Sequence, residues 1–327
     1  MKKKRLALVV LTVLLTCFLM ASCGGSGSSS GGGDSGAAAS TGQKIFCSSA
    51  YYTSPYCAPL NKGLQDAAAE LGYELQIVDG EGNADKQLSQ FKAAVSEGYD
   101  GLIYFPADSA STPPVVEYLN STGLPWVLLN TDVDESVQDD IITFVAIDPV
   151  VVGQDLANMA KDYLPDGGKA VYIEGAAGSS YVSVVTDTLM KALDGSGIEI
   201  LNDHQYADWD PGKAMKIMED FLTKYGADGI DLLIAQDGGM FQGALSAIDA
   251  AGLKGTLMAC AQGNDLIIKE SLLDGSLLAT SLQDPFLEGS ITMQTMDKLM
   301  KGETVDKWVK VPQGMCYADD VEQYNWF

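Results

Sequence analysis

Residues 44–79 read KIFCSSAYYTSPYCAPLNKGLQDAAAELGYELQIVD, and this stretch holds the repeating unit from which the fold is predicted. Lys44–Ser49 is a short β-rich run, and Leu75–Val78 is a second one. Between them, apolar residues recur at helical spacing from Tyr56 to Leu71. A strand, a helix and a second strand of these lengths form a βαβ unit, in which the two strands lie parallel.

Strands and helices alternate in the same way up to about residue 301, in two halves of similar size. The further predicted strands are Gly101–Phe105, Trp126–Asn130, Thr143–Ile147, Lys169–Glu174, Ile198–His204, Asp231–Gln236, Thr256–Cys260 and Leu277–Leu282. Strands that alternate with helices indicate parallel sheets covered on both faces. The predicted fold is therefore α/β, with two doubly wound, Rossmann-like lobes and a cleft between the carboxyl ends of their strands.

Polar and aromatic side chains follow nearly every predicted strand, where ligands bind in open α/β sheets. Each hydroxyl group of a sugar can donate and accept, carboxylate and amide groups offer it directional partners, and aromatic rings can stack on the sugar. Helix N-capping is the alternative role for several of the Asp and Ser residues. Trp209 has no capping role, although it could instead wedge the lobes together. The candidate ligand-binding residues are Ser49, Tyr51, Tyr52, Tyr56, Asn130, Asp132, Asp148, Trp209, Asp237, Gln262 and Gln283.

The charge of the chain limits its partners. It has 20 basic and 44 acidic side chains and a net charge of −24, so its surface repels nucleic acid. Arg5 is the only arginine and lies in the N-terminal segment discussed below. The rest of the chain therefore has no guanidinium to clamp a carboxylate or phosphate. This favours a neutral ligand, with a general preference for lysine as the alternative explanation.

Motifs for metal, cofactor or enzyme chemistry are missing from the sequence. His204 is the only histidine and is expected to have a surface role. No C-x-x-C pair, P-loop or G-x-S-x-G motif occurs, so we expect a binding protein without a cofactor or metal rather than an enzyme. A disulfide between Cys47 and Cys57 and buried free thiols both remain open.

The N-terminus predicts export and anchoring. A basic start and an apolar run from Leu6 to Met20, too short to span a bilayer, are typical of a signal peptide over residues 1–22. Met20-Ala21-Ser22-Cys23 resembles a lipobox, which would make Cys23 the lipidated N-terminus on the extracytoplasmic face of the cell membrane. Residues 23–43, rich in Gly, Ser and Ala, are predicted to form a flexible linker. An ordinary secretory signal is the alternative.

Several short motifs occur in a specific order between Lys44 and about Gly302. They are Asp100-Gly101-Leu102-Ile103 with Pro106-Ala107-Asp108, Leu124-Pro125-Trp126-Val127 before Asn130, Gly175-Ala176-Ala177-Gly178-Ser179, Ala207-Asp208-Trp209-Asp210, and Ala235-Gln236-Asp237. In this order and spacing the chain resembles the type I periplasmic sugar-binding proteins, in particular the ribose- and galactose-binding branch. Asn130 stands where that family usually has Asp. Ser183, a further candidate, stands near the position of a pocket arginine.

The resemblance implies a receptor for an ABC importer that closes on a monosaccharide through a three-segment hinge. It implies a first lobe of residues 44–147 plus about 284–310, and a second lobe of 148–283 plus about 311–327. The implied partners are the permease subunits, with a monomeric receptor. The alternative is a sensing module for a sugar, polyol or furanose-like autoinducer that signals to a membrane receptor. The particular ligand stays open, because the chain differs from the residues usual in that family at Asn130, Ser183, Asp237 and Gln262.

Overall fold

The computed structural model describes residues 40–327, which contain two six-stranded sheets with flanking helices. The predicted signal peptide, Cys23 and most of the predicted linker lie outside these residues. The first elements along the chain are β1 (Lys44–Ser49), α1 (Cys57–Leu71), β2 (Glu74–Asp79), α2 (Ala84–Ser96), β3 (Gly101–Phe105), α3 (Pro113–Thr122), β4 (Trp126–Leu129) and β5 (Phe144–Ala146).

The next ten elements contain five of the six strands of the second sheet and five helices. These are α4 (Pro149–Tyr163), β6 (Gly168–Ile173), α5 (Ser180–Leu193), β7 (Ile198–Ile200), α6 (Pro211–Tyr225), β8 (Leu232–Ala235), α7 (Gly238–Ala250), β9 (Met258–Gln262), α8 (Leu266–Asp274) and β10 (Thr280–Ser281). The chain ends with α9 (Pro285–Met300), β11 (Trp308–Lys310) and β12 (Met315–Cys316). Short 3₁₀ helices lie at Glu135–Asp140, Ala227–Gly229 and Ala318–Gln323.

The strand order shows how the two lobes are connected. The first sheet has the order β11-β5-β4-β3-β1-β2, and the second has the order β12-β10-β9-β8-β6-β7. The chain passes between the sheets after β5, before α9 and after β11. All strand pairs are parallel except β10 with β12. The predicted α/β class with two parallel-sheet lobes is confirmed.

Buried strands and close helix crossings hold each lobe together. All residues of β3 and of β4 are buried, as expected for central strands covered on both faces. Helices α1 and α9 cross closely, because a Cβ at Gly63 would lie only 2.0 Å from the carbonyl oxygen of Phe286. A Cβ at Gly289 would lie 2.2 Å from the carbonyl oxygen of Leu60. These glycines let the start of α9 pack directly against α1.

The second lobe differs most from the sequence prediction. The predicted strand Ile198–His204 ends at Ile200, because the side chain of Asn202 takes over pairing with the backbone of Tyr172. The predicted strand Leu277–Leu282 is reduced to Thr280–Ser281. Strands β11 and β12 were not predicted. Within residues 40–327, no helix is both long and apolar enough to cross a bilayer.

Candidate functional site

The two lobes touch where the loop after β3 meets the start of α5. Ser109 Oγ in the first lobe lies 3.0 Å from Ser180 Oγ in the second. Tyr51 lies near the same rim and donates a hydrogen bond to the carbonyl oxygen of Ala107. Burial raises the pKa of Tyr51, with smaller contributions from the charges of Asp108 in its own lobe and Asp208 in the other. Residues of both lobes thus meet at this place.

A continuous chain of side-chain hydrogen bonds crosses from one lobe to the other. The hydroxyl of Tyr181, at the start of α5, lies 2.5 Å from Gln262 Oε1 at the end of β9. Gln262 Nε2 lies 2.5 Å from Gln283 Oε1, in the segment that passes back to the first lobe. Gln283 Nε2 lies 2.7 Å from the hydroxyl of Tyr56, just before α1. These four residues are named the relay below. Their hydrogen bonds connect the two lobes through Gln283, which lies in the segment between β10 and α9.

The relay ends at a buried carboxyl group in the first lobe. Glu288, in the first turns of α9, has no exposed surface and accepts hydrogen bonds from the Tyr56 hydroxyl and from Asn130 Nδ2, at 3.1 Å for the latter. Desolvation raises the pKa of Glu288 to about 7; these hydrogen bonds oppose the rise, and the charge of Asp284 adds to it. Asn130 holds a left-handed backbone conformation with φ of 65°, which asparagine tolerates better than most residues.

Asp237 is the corresponding carboxyl group of the second lobe, and it is half-buried. It caps α7, and its Oδ1 accepts a hydrogen bond of 2.8 Å from the backbone N–H of Met240. Burial raises the pKa of Asp237 to about 7, and hydrogen bonds from backbone N–H groups partly offset the rise. The capping alternative considered from the sequence therefore describes its observed contacts.

Trp209 is held by an unusual backbone and by a glycine. Asp208 and Trp209 both have left-handed conformations, with φ of 51° and 60°. For residues other than glycine this costs on the order of 1 kcal/mol each and is concentrated at functional sites. The indole ring lies against Gly175, where a Cβ would come within 2.1 Å of it, and its centroid is 6.2 Å from that of Tyr181. The ring therefore lies beside the second-lobe end of the relay.

Other predicted residues lie at the rim or in the interior. Tyr52 is exposed, like Tyr51. Ser49 is fully buried, with its Oγ 3.9 Å from Cys57 Sγ. Asp132 accepts hydrogen bonds from Val133 N–H and from the Gln138 side chain. The structure does not bring Ser49 or Asp132 into the relay.

Asp148 and Ser183 have partners outside the relay. Asp148 caps α4, and its Oδ2 lies 2.6 Å from Lys310 Nζ. Its backbone N–H and carbonyl group bond to the side chain of Gln313, so it joins the first and third passages between the lobes. Ser183 Oγ donates to the carbonyl oxygen of Ser179 in its own helix.

The cysteines and the histidine have structural contacts. Cys47, Cys57, Cys260 and Cys316 are all buried free thiols, which settles the alternative left open by the sequence. Burial raises the pKa values of Cys57 and Cys260, to about 11 and about 12. His204 is exposed, but its Nδ1 lies 3.0 Å from the buried carboxylate of Glu174. That contact raises the pKa of His204.

Sequence reasoning missed Glu288 and did not select Tyr181. Glu288 lies inside α9, four residues after its N-cap Asp284, and nothing in the local sequence separates it from a surface glutamate. Tyr181 follows a predicted strand end, like the residues that were selected.

Comparisons with known proteins agree with this architecture. A model of the periplasmic binding protein domain matches residues 45–304. The ribose import binding protein of Bacillus subtilis is 30% identical over 266 residues, which cover 79% of this chain and 82% of that protein. The xylitol-binding protein of Mycolicibacterium smegmatis is 27% identical over 261 residues, which cover 79% and 72%.

Solved structures show the same fold. An ABC transporter solute-binding protein of Bacillus halodurans with bound myo-inositol has a TM-score of 0.79 at 23% identity, over 90% of this chain and 99% of that one. A galactofuranose-binding protein has a TM-score of 0.80 at 20% identity, over 86% and 96%. At these identities the likeness concerns the fold alone.

Proposed function

Because this chain belongs to the type I periplasmic binding proteins of the ribose branch, we propose that it is the substrate-binding component of an ABC importer. It captures a small neutral polyhydroxyl compound, with a monosaccharide as the first choice, between its two lobes. The names of its relatives, which include ribose, fructose and xylitol binders, support this class of ligand. The single arginine, Arg5, supports a neutral one, since no guanidinium lies within residues 40–327.

The observation that carries the proposal is the relay between the lobes. It joins hydroxyl and amide groups of Tyr181, Gln262, Gln283 and Tyr56, and it lies beside the ring of Trp209 at one end and Asn130 at the other. A ligand shifts an open–closed equilibrium only if it binds one state better. Polar groups supplied by both lobes provide that difference, because both sets reach the ligand only when the lobes are together.

Anchoring and partners belong to the same proposal. Cys23 carries the lipid, and the linker up to residue 43 holds the binding lobes near the membrane. The monomeric receptor then presents its closed form to the permease subunits. Tethering raises the effective concentration of the receptor at the permease without any new contact.

A thermal-shift screen tests the ligand class. The panel is D-ribose, D-fructose, xylitol and myo-inositol, with D-galacturonate as a charged comparison. A compound at a hundred times its Kd stabilises by about 2.7 kcal/mol, which corresponds to a rise of about 5–10 °C in Tm. We expect at least one neutral compound to reach this range and D-galacturonate to have no effect. No shift with any neutral compound would contradict the proposal.

Trp209 provides the test of the location. Trp209→Ala should lose most of the shift, because its ring stacks on the ligand. Trp326→Ala is the matched control, since Trp326 is also half-buried and packs against the same second-lobe core. Equal binding by Trp209→Ala and wild type would remove Trp209 from the site.

A further inference from the structure

The chemistry of Glu288 fixes the direction of every hydrogen bond in the relay. An ionised carboxylate has no proton and can only accept. The Tyr56 hydroxyl, which contacts it, must therefore donate its single proton to Glu288. The Tyr56 oxygen is then left to accept from Gln283, so the Gln283 group at 2.7 Å must be its amide nitrogen.

The constraint extends along the relay into the second lobe. With Nε2 of Gln283 turned to Tyr56, its Oε1 faces Gln262 and must accept from Gln262 Nε2. Gln262 Oε1 is then the acceptor for the Tyr181 hydroxyl. One buried charge in the first lobe thus determines which way a tyrosine in the second lobe directs its proton.

Asn130 is oriented by the same charge. Its amide group lies 3.1 and 3.3 Å from the two oxygens of Glu288, and only the NH₂ side can face a carboxylate. No protein donor to Asn130 Oδ1 is found among residues 40–327, and the residue is only half-buried. Asn130 is therefore presented as a hydrogen-bond acceptor, like the Asp usual at this position in the family it resembles.

We propose that Glu288 is a positioning residue for ligand binding, which directs the relay from Tyr181 to Tyr56 and turns Asn130 Oδ1 toward a donating hydroxyl group of the ligand. The role rests on the proposed function, since it assigns the hydroxyl orientation that this cleft selects. Glu288 itself has no exposed surface and acts through its two neighbours.

Protonation of Glu288 removes the constraint. A neutral carboxyl group can donate to the Tyr56 oxygen, so the opposite direction becomes possible along the whole relay. Three neighbouring groups titrate at higher pH, since burial raises the pKa of Tyr56 and Tyr181 well above 10 and that of Cys57 to about 11. Asp237, whose pKa burial also raises to about 7, acts on Tyr181 from the second lobe. Asp284, at the start of the same helix, adds to the raised pKa of Glu288.

A double-mutant cycle in the ligand-free protein tests the relay. Tm is measured at pH 8 for wild type, Glu288→Gln, Tyr181→Phe and the double variant. Glu288 and Tyr181 are in different lobes and share no hydrogen bond, so independent sites would give additive shifts. We expect a double-variant shift that differs from the sum by several degrees. Additive shifts would overturn the relay, whatever the protein binds.

Calorimetric titration with D-ribose, and with myo-inositol if D-ribose gives no thermal shift, tests the positioning role. Wild-type affinity should fall as the pH is lowered from 8 to 6. Glu288→Gln should bind about tenfold more weakly at pH 8, because its amide can donate as well as accept. Its pH dependence should be smaller than that of wild type, and the part that remains is assigned to Asp237, whose pKa is also about 7. A general loss of folding would lower Tm without flattening the pH profile.

Glu117→Gln is the matched control, since Glu117 is an exposed residue of α3. It should bind like wild type. Wild-type-like affinity and pH dependence in Glu288→Gln would refute the positioning role and leave the proposed function standing. Failure of every panel compound with wild type would refute the proposed function, while the cycle still decides the relay.

Discussion

Asp237 in the second lobe and Glu288 in the first are both carboxyl groups whose pKa burial raises to about 7, yet they are held in different ways. Asp237 accepts its hydrogen bonds from backbone N–H groups at the start of α7. Glu288 accepts from the side chains of Tyr56 and Asn130. The backbone partners of Asp237 are fixed by its helix, whereas the partners of Glu288 can rotate.

The difference indicates that the carboxyl groups of Asp237 and Glu288 have two different roles. A carboxyl group bonded to backbone stabilises the element that carries it, and an amide in its place can do the same. A carboxyl group bonded to hydroxyl and amide side chains decides which of their atoms donate, so its ionisation changes what the cleft presents. Variants at the two positions should therefore differ in ligand binding as well as in the pH dependence of stability.

The largest expected effect is on the pH dependence of stability. The pKa of Glu288 in the folded protein, about 7, is above its ordinary value of 4.5. Its contribution to stability is therefore fully present below pH 4.5 and is lost as the pH rises through 7. The difference corresponds to about 3 kcal/mol. Urea unfolding of Glu288→Gln between pH 4.5 and 8 should show a smaller decline than wild type, and an identical decline would contradict the buried charge.

The next effect is on the free energy of unfolding, and it separates the contribution of the Asp237 hydrogen bond to α7 from the contribution of its charge. Asp237→Ala removes the N-cap of α7 and should lower the free energy of unfolding by about 1–2 kcal/mol. Asp237→Asn keeps a good capping group and should lose little stability at pH 7. Chemical denaturation of both variants checks this. Equal losses in the two would mean that the charge of Asp237, rather than its hydrogen bond to Met240, stabilises the helix.

Strand bounds and strand-end residues could be predicted from the sequence, because they depend on the local pattern of residues. The bounds predicted for β1 and β3 agree with the structure, and the position of Asp237 after β8 could be predicted in the same way. Glu288 could not be selected, because its partners Tyr56 and Asn130 lie 232 and 158 residues away in the chain. The hydrogen bonds between Asp148 and Gln313 are equally remote in sequence.

The short strands of the second lobe show the same limit. Asn202 ends β7 by pairing its side chain with Tyr172, a replacement that hydrophobicity patterns do not reveal. Strands β11 and β12 have few residues and obtain their pairing from distant parts of the chain. Ligand-binding roles for the twelve selected residues remain predictions, and the structure directly brings Tyr56, Asn130, Gln262 and Gln283 together.

The smallest expected effect is on the pKa of His204, which pairs with the carboxylate of Glu174. The contact with Glu174 raises the pKa of His204, so this pair stabilises the fold below pH 6.5 and loses its effect as the pH rises through the higher folded value. Because His204 is the only histidine, its ring gives a single set of NMR titration signals. We expect the titration midpoint of His204 to be higher in wild type than in Glu174→Gln. Equal midpoints would show that Glu174 does not influence the pKa of His204.

A crystal structure with the panel compound that gives the greatest thermal shift tests the central claim most directly. We predict that the compound lies between the lobes, with Trp209 against its ring or carbon face and one of its hydroxyl groups donating to Asn130 Oδ1. A compound bound to one lobe only, or bound with the NH₂ group of Asn130 turned toward it, would contradict the account.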